Sequence, residues 1–158
     1  MRGKPKPEHK VTHKVVVGRL QRWFEKMDMA DIREEVKSYY WYVHPDVAYQ
    51  SRETGFVFSC EVKPPYAKIP EIIKGIGQCA LHPYHKLTLK PFLVISEKMY
   101  REIFPVFESL NWLGVIIYQG EGFRIAKDPK GQILYTPKRR EKKRRGRKKE
   151  TEEPLPDF

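Results

Sequence analysis

A mixed β-sheet flanked by helices, an α/β fold, is the architecture this sequence predicts, and three features predict it. Two early stretches, "DVAYQ" and "FVFSCEVK", alternate apolar with polar residues and are joined by "SRETG", a polar connection ending in glycine. That is the pattern of an antiparallel hairpin. Two later stretches, "KPFLVISEK" and "WLGVIIYQG", are continuously apolar, as strands are when helices cover both faces of a parallel sheet. Segments with helical periodicity stand before the hairpin, after it and between the two apolar runs. The resulting order is α, β, β, β, α, β, α, β, which demands crossovers for the late strands and antiparallel pairing for the early ones.

Each element has its own signal. Residues 1–10 are a basic, proline-containing arm, 11–136 hold the α/β domain, and 137–158 form a tail too charged to pack. From Val11 to Met27, apolar Val16, Leu20, Trp23, Phe24 and Met27 recur at helical steps. Thr12 is placed to cap this helix and Gly18 weakens it. "IREEVKSYYWYV" is β-branched and aromatic and reads as one or two strands, with Tyr39 to Tyr42 alternating between core and surface. In "FVFSCEVK", Phe56, Phe58, Cys60 and Val62 face one way, and Val57, Ser59, Glu61 and Lys63 the other. "PPYAKIP" ends that strand. "PEIIKGIGQCALHPY" reads as a helix with Pro70 and Glu71 in its first turn and Pro83 as its stop. "MYREIFPVFESLN" is helical with a break at Pro105, and "FRIAKD" with "QILYT" reads as an edge hairpin.

Size and composition narrow the function classes. A chain of 158 residues with 40% hydrophobic and 13% aromatic content buries a real core. No apolar run approaches the ~18 residues a membrane span needs, and no signal peptide follows the first charges. The expected compartment is the cytoplasm, at the nucleoid or, for a viral protein, in the host cell. Cys60 and Cys79 belong to no CxxC and read as buried free thiols. Net charge is +11, with +6 in residues 1–136 and +5 in 137–158. A polyanion such as nucleic acid is the simplest partner, although heat-adapted surfaces have a similar balance.

The hairpin brings chemistry together. With its turn centred on Glu53, position 46 falls opposite 60, and a shift of one residue sets Asp46 across from Glu61. Opposed side chains start about 5 Å apart and diagonal ones about 7–8 Å. Either spacing lets two carboxylates grip one divalent ion, and their mutual repulsion calls for a cation. Lys63 stands one pleat beyond Glu61 on the same face, placed to orient a water or steady a phosphate. Hard oxygen ligands with room for water suit Mg²⁺, and bound Mg²⁺ acidifies water and neutralises transition-state charge. That is enough to cut a phosphodiester.

The string Pro45-Asp46, then 14 residues, then Glu61-Val62-Lys63 resembles the signature of the PD-(D/E)xK nuclease superfamily. Its members include restriction enzymes, archaeal Holliday-junction resolvases and RecB-like exonucleases. The resemblance covers roughly residues 11 to 97 and implies a restriction-endonuclease-like α/β/α core. It implies catalytic roles for Asp46, Glu61 and Lys63, with the metal held by Asp46, Glu61 and the Val62 carbonyl. "GIGQCALHPY" is similar to the helix of RecB-like nucleases that carries glutamine and then tyrosine. Gln78 fits the glutamine, whereas His82 stands at the tyrosine's place and Tyr84 two residues beyond. Gln78, His82 and Lys74 would look toward the metal or the DNA. Glu8 and Glu25 are the candidates for the acidic residue that some members add from the first helix.

The expected function is a divalent-metal-dependent DNA nuclease, an endonuclease using Mg²⁺ or Mn²⁺; a catalytically inactive nucleic-acid-binding protein of the same fold is the alternative. Cutting both strands is compatible with a homodimer. In "KRREKKRRGRKK", Lys138, Arg139, Arg140, Lys142, Lys143, Arg144, Arg145, Arg147, Lys148 and Lys149 form an electrostatic arm for DNA phosphates. Bland readings stand beside the sharp ones: His9 and His13 as a solvated helix start, His82 and Tyr84 as helix-end packing, and His44 as a structural residue.

Overall fold

The computed structural model describes residues 11–39 and 43–138, with the side chain of Tyr39 outside that set. Six strands form one sheet in sequence order: β1 (Met29–Asp31), β2 (Val47–Ser51), β3 (Val57–Val62), β4 (Lys90–Ser96), β5 (Gly114–Gln119) and β6 (Gly122–Lys127). β1, β2 and β3 pair antiparallel, β3, β4 and β5 parallel, and β5 with β6 antiparallel. The mixed α/β sheet expected from the sequence is therefore the architecture of the chain.

Among the described residues five α-helices cover the sheet: α1 (His13–Lys26), α2 (Arg33–Tyr39), α3 (Ile69–Cys79), α4 (Glu97–Glu102) and α5 (Phe104–Ser109). Alternation along the strands decides which helix meets which face. Cys60, Val62, Phe92 and Val94 pack with Val16, Leu20 and Phe24 of α1. Leu93, Ile95, Val115 and Ile117 pack with Ile72 of α3, Tyr100 of α4 and Phe107 of α5. The sheet is thus enclosed between α1 and the α3–α5 layer. Thr12 caps α1, its side-chain oxygen accepting from the Val15 N–H, and Pro70 stands in the first turn of α3. The expected break falls at Ile103, between α4 and α5, with Pro105 in the first turn of α5.

Two expectations need correction. "IREEVKSYYWYV" does not form the sheet strands expected of it: residues 33–39 are helix α2, and 40–42 lie outside the described residues. The Asp31 side chain accepts the Arg33 N–H, and Glu34 and Glu35 occupy the first turn, where the helix dipole favours acids. Val36, fully buried, anchors the helix beside Ala48, Val57 and Leu89. The hairpin expected of "FRIAKD" and "QILYT" is only a single bridge, Lys127 to Ile133. β6 instead takes β5 as its ladder partner through a tight turn in which Gly120 has φ +58°. Glycine enters that left-handed region at no steric cost.

Lys127 ends β6 as a fully buried amine, donating to the Leu110 and Leu113 carbonyls. Burial pushes its pKa down, and Asp128 opposes the shift. Those bonds tie the connection between α5 and β5 to the sheet's far edge.

Candidate active site

The site begins where β2 and β3 diverge. Val47 is paired with Cys60 and Ala48 with Ser59, so continuing that register by one residue sets Asp46 opposite Glu61. This is the one-residue shift considered from the sequence. The Asp46 N–H donates to the Cys60 carbonyl at 2.9 Å, which carries the hairpin past the end of β2. Its Oδ2 accepts the Val62 N–H at 2.8 Å and lies 3.1 Å from Nε2 of His13, in the first turn of α1. A main-chain donor and an imidazole thus hold this carboxylate at the mouth of the hairpin.

Glu61 turns to the opposite layer. It is only 6% exposed, and Oε1 lies 3.4 Å from Nε2 of His82, which is 1% exposed. On its other side, Nδ1 of His82 lies 2.6 Å from Oγ of Ser59, also buried. With Nε2 protonated toward Glu61, Nδ1 is left as the acceptor for the Ser59 hydroxyl. A directed chain of hydrogen bonds then runs from Ser59 through His82 to the carboxylate. Burial raises the Glu61 pKa, the bond from His82 lowers it, and the charge of Asp46 raises it further; Lys63 opposes with a smaller pull.

Lys63 continues β3, its N–H donating to the Val94 carbonyl at 2.9 Å. Its carbonyl accepts the Tyr118 hydroxyl at 2.6 Å, and its Nζ donates to Oε1 of Gln78 on α3 at 3.4 Å. The lysine stem fits because residue 75 is glycine. A Cβ there would stand 2.6 Å from Cε of Lys63 and 2.9 Å from Cδ1 of Leu93. Beyond Tyr118, at the carboxyl ends of β4 and β5, an open groove of about 730 Å³ is lined by Arg19, Ser96, Lys98 and Arg101. It does not reach Asp46 or Glu61.

Of the residues expected at the site, Glu61, Lys63 and Gln78 meet on the α3 side, and Asp46 adjoins them from the hairpin mouth. Val62 contributes its N–H to Asp46. Glu25 does not join: it accepts the Tyr49 hydroxyl, twelve residues and about 18 Å along α1 from His13. Glu8 and His9 lie outside the described residues, as do the arginines and lysines expected to bind DNA from Arg139 to Lys149, leaving Lys138, which is exposed. His13 is no simple solvated helix start, since it pairs with Asp46. His82 packs as expected but also holds Glu61, whereas Tyr84 is 79% exposed. α3 stops at Cys79, and a three-ten turn over His82–Tyr84 turns the imidazole inward and the phenol outward. Neither histidine sits at a spacing that announces its partner.

Among the described residues no group of three or more His, Cys, Asp and Glu side chains is arranged to hold a metal ion. Nor is any helix among them long and apolar enough to cross a membrane. No family model, curated protein or solved structure matches the chain.

Proposed function

We propose that this chain is a divalent-metal-dependent DNA nuclease, an endonuclease that hydrolyses phosphodiester bonds. The observation that carries it is the hairpin register, which sets Asp46 opposite Glu61 with Lys63 one pleat beyond, beside Gln78. The resemblance to PD-(D/E)xK nucleases rests on the same residues. Asp46 and Glu61, with the Val62 carbonyl that the resemblance implies, would hold Mg²⁺ or Mn²⁺. The donor set suits such an ion, because Mg²⁺ commonly takes one or two carboxylates and completes its shell with water and phosphate oxygens. The repulsion from Asp46 that helps raise the Glu61 pKa is also what a cation relieves.

When bound, the ion would acidify a water and neutralise charge on the phosphate. Lys63, steered by Gln78, aligns the phosphate or the attacking water. His13 and His82 fix the two carboxylates from opposite layers. The basic segment from Lys138 to Lys149 adds affinity for DNA without reading sequence, and cleavage of both strands calls for a second copy of the chain.

The alternative, a binding protein without catalysis, draws on the lack of a three-ligand metal cluster among the described residues and on the histidines already engaging both carboxylates. Plasmid and single-stranded DNA incubated with Mg²⁺, Mn²⁺ or EDTA separate the two. Metal-dependent cutting abolished by Glu61→Ala and by Lys63→Ala is the nuclease outcome. Retarded bands without nicks, alike in all variants, would establish the binder.

A further inference from the structure

The outward face of α3 is unusual for a surface helix. Ile69 and Ile73, one turn apart, are 44% and 62% exposed, Gly77 continues the row without a side chain, and Leu81 beyond it is 43% exposed. A tyrosine stands at each end: Tyr66, in the connection from β3, is 60% exposed, and Tyr84 is 79% exposed. Residues 63 to 88 hold four lysines against one glutamate, net +3. Both tyrosines are close in the chain to residues of the candidate site. Tyr66 comes three residues after Lys63, and Tyr84 two after His82, the partner of Glu61.

Two occupants compete for this face. A second copy of the chain would set the net +1 of Lys68, Lys74 and Glu71 against the same charge. It would also have little to bury: α3 is eleven residues long, about 16 Å, and one helix face of that length falls short of the ~800 Å² that each partner of a stable interface contributes. A polynucleotide answers both features. Its phosphates meet the lysines, and its bases, if unpaired, meet the exposed rings. A duplex keeps its bases stacked inside and leaves the tyrosines nothing to hold.

We propose that the outer face of α3, from Tyr66 to Tyr84, binds single-stranded DNA, with bases stacked on the two tyrosines and the backbone running along Lys68 and Lys74. Resting on the nuclease reading, this makes the substrate one with an unpaired stretch beside Glu61 and Lys63.

Fluorescence anisotropy of the full chain in EDTA tests it, with labelled oligo(dT) of about 20 nucleotides and a duplex of equal length as probes. The wild type is expected to favour oligo(dT). Tyr66→Ala and Tyr84→Ala should each weaken oligo(dT) binding roughly tenfold and leave the duplex unaffected, while Tyr66→Phe and Tyr84→Phe retain the ring and bind like the wild type. Silent alanine variants, or equal losses on both probes, overturn the proposal. So does a dimer in sedimentation that Ile73→Glu splits. A tyrosine-dependent preference for oligo(dT) without cleavage in Mg²⁺ sustains this surface and removes the nuclease; cleavage that needs Glu61 but ignores both tyrosines does the reverse.

Discussion

Glu61 is a carboxylate kept almost out of contact with water, 6% exposed, and its neighbours determine what that costs. The fold raises its pKa above the ordinary 4.5, chiefly by burial. The metal-free fold therefore holds a proton on Glu61 more tightly than the unfolded chain does. That proton's contribution to stability is complete below pH 4.5 and is lost as pH rises through the elevated folded value. Glu61→Gln should accordingly raise the melting temperature of the metal-free protein at pH 8, by about 3 °C for a gain on the order of 1 kcal/mol. The gain should vanish near pH 4, and scanning calorimetry at the two pH values checks it. Cleavage by the same variant should be lost. His82 is the residue that steadies this carboxylate, and sequence spacing did not disclose it. The link from Ser59 to His82 joins residues 23 apart in the chain, and only the docking of the turn after α3 against β3 brings them together.

At the scale of an element, α3 and β3 are fitted through an absent side chain. Gly75 faces the stem of Lys63 and the methyl of Leu93. Replacing glycine by alanine inside a helix ordinarily gains about 1 kcal/mol, while forcing an extra methyl into a packed contact costs about 1–3 kcal/mol. Lysine is flexible and yields; Leu93, fully buried, does not. Gly75→Ala should thus leave stability within about 2 kcal/mol of the wild type while displacing the Lys63 ammonium from Gln78. Cleavage should fall at least tenfold with the melting temperature little changed. A proportionate loss of both would mean that the lysine was never displaced. The hairpin, α1, α3 and the two inner strands were legible because each has one clear period and clean boundaries. α2 was not, because Tyr39 to Tyr42 outweighed a cap signal in Asp31, Glu34 and Glu35 that was present all along. That Asp46, Glu61 and Lys63 come close together was legible from strand alternation and register, which are local; Gln78, on α3, was singled out by the resemblance. His13 and His82 reach the site by tertiary packing, which local patterns do not encode.

For the whole molecule, charge sets the range over which a polyanion is felt. Of the net +11, nearly half belongs to residues 137–158. Each phosphate that a basic side chain neutralises steepens the salt dependence of binding by about 0.9. Removing residues 139–158 should therefore flatten the plot of log affinity against log salt by several units, roughly four if half of its nine lysines and arginines touch phosphate. Salt titrations of duplex DNA binding measure it. The stacking preference for oligo(dT) should survive, since it belongs to α3. An unchanged slope would show that the folded domain alone governs the electrostatics.

The two cysteines give the molecule its own stopwatch. Cys60 is sealed under α1 and Cys79 lies on the inner face of α3 against the sheet, each fully buried, unbridged and held as a thiol by a raised pKa. Iodoacetamide is attacked by thiolates, so neither sulfur reacts until its own layer lifts from the sheet. Mass-spectrometric labelling at the two positions thereby times the two layers separately, and a divalent ion seated at Asp46 and Glu61 should slow both clocks.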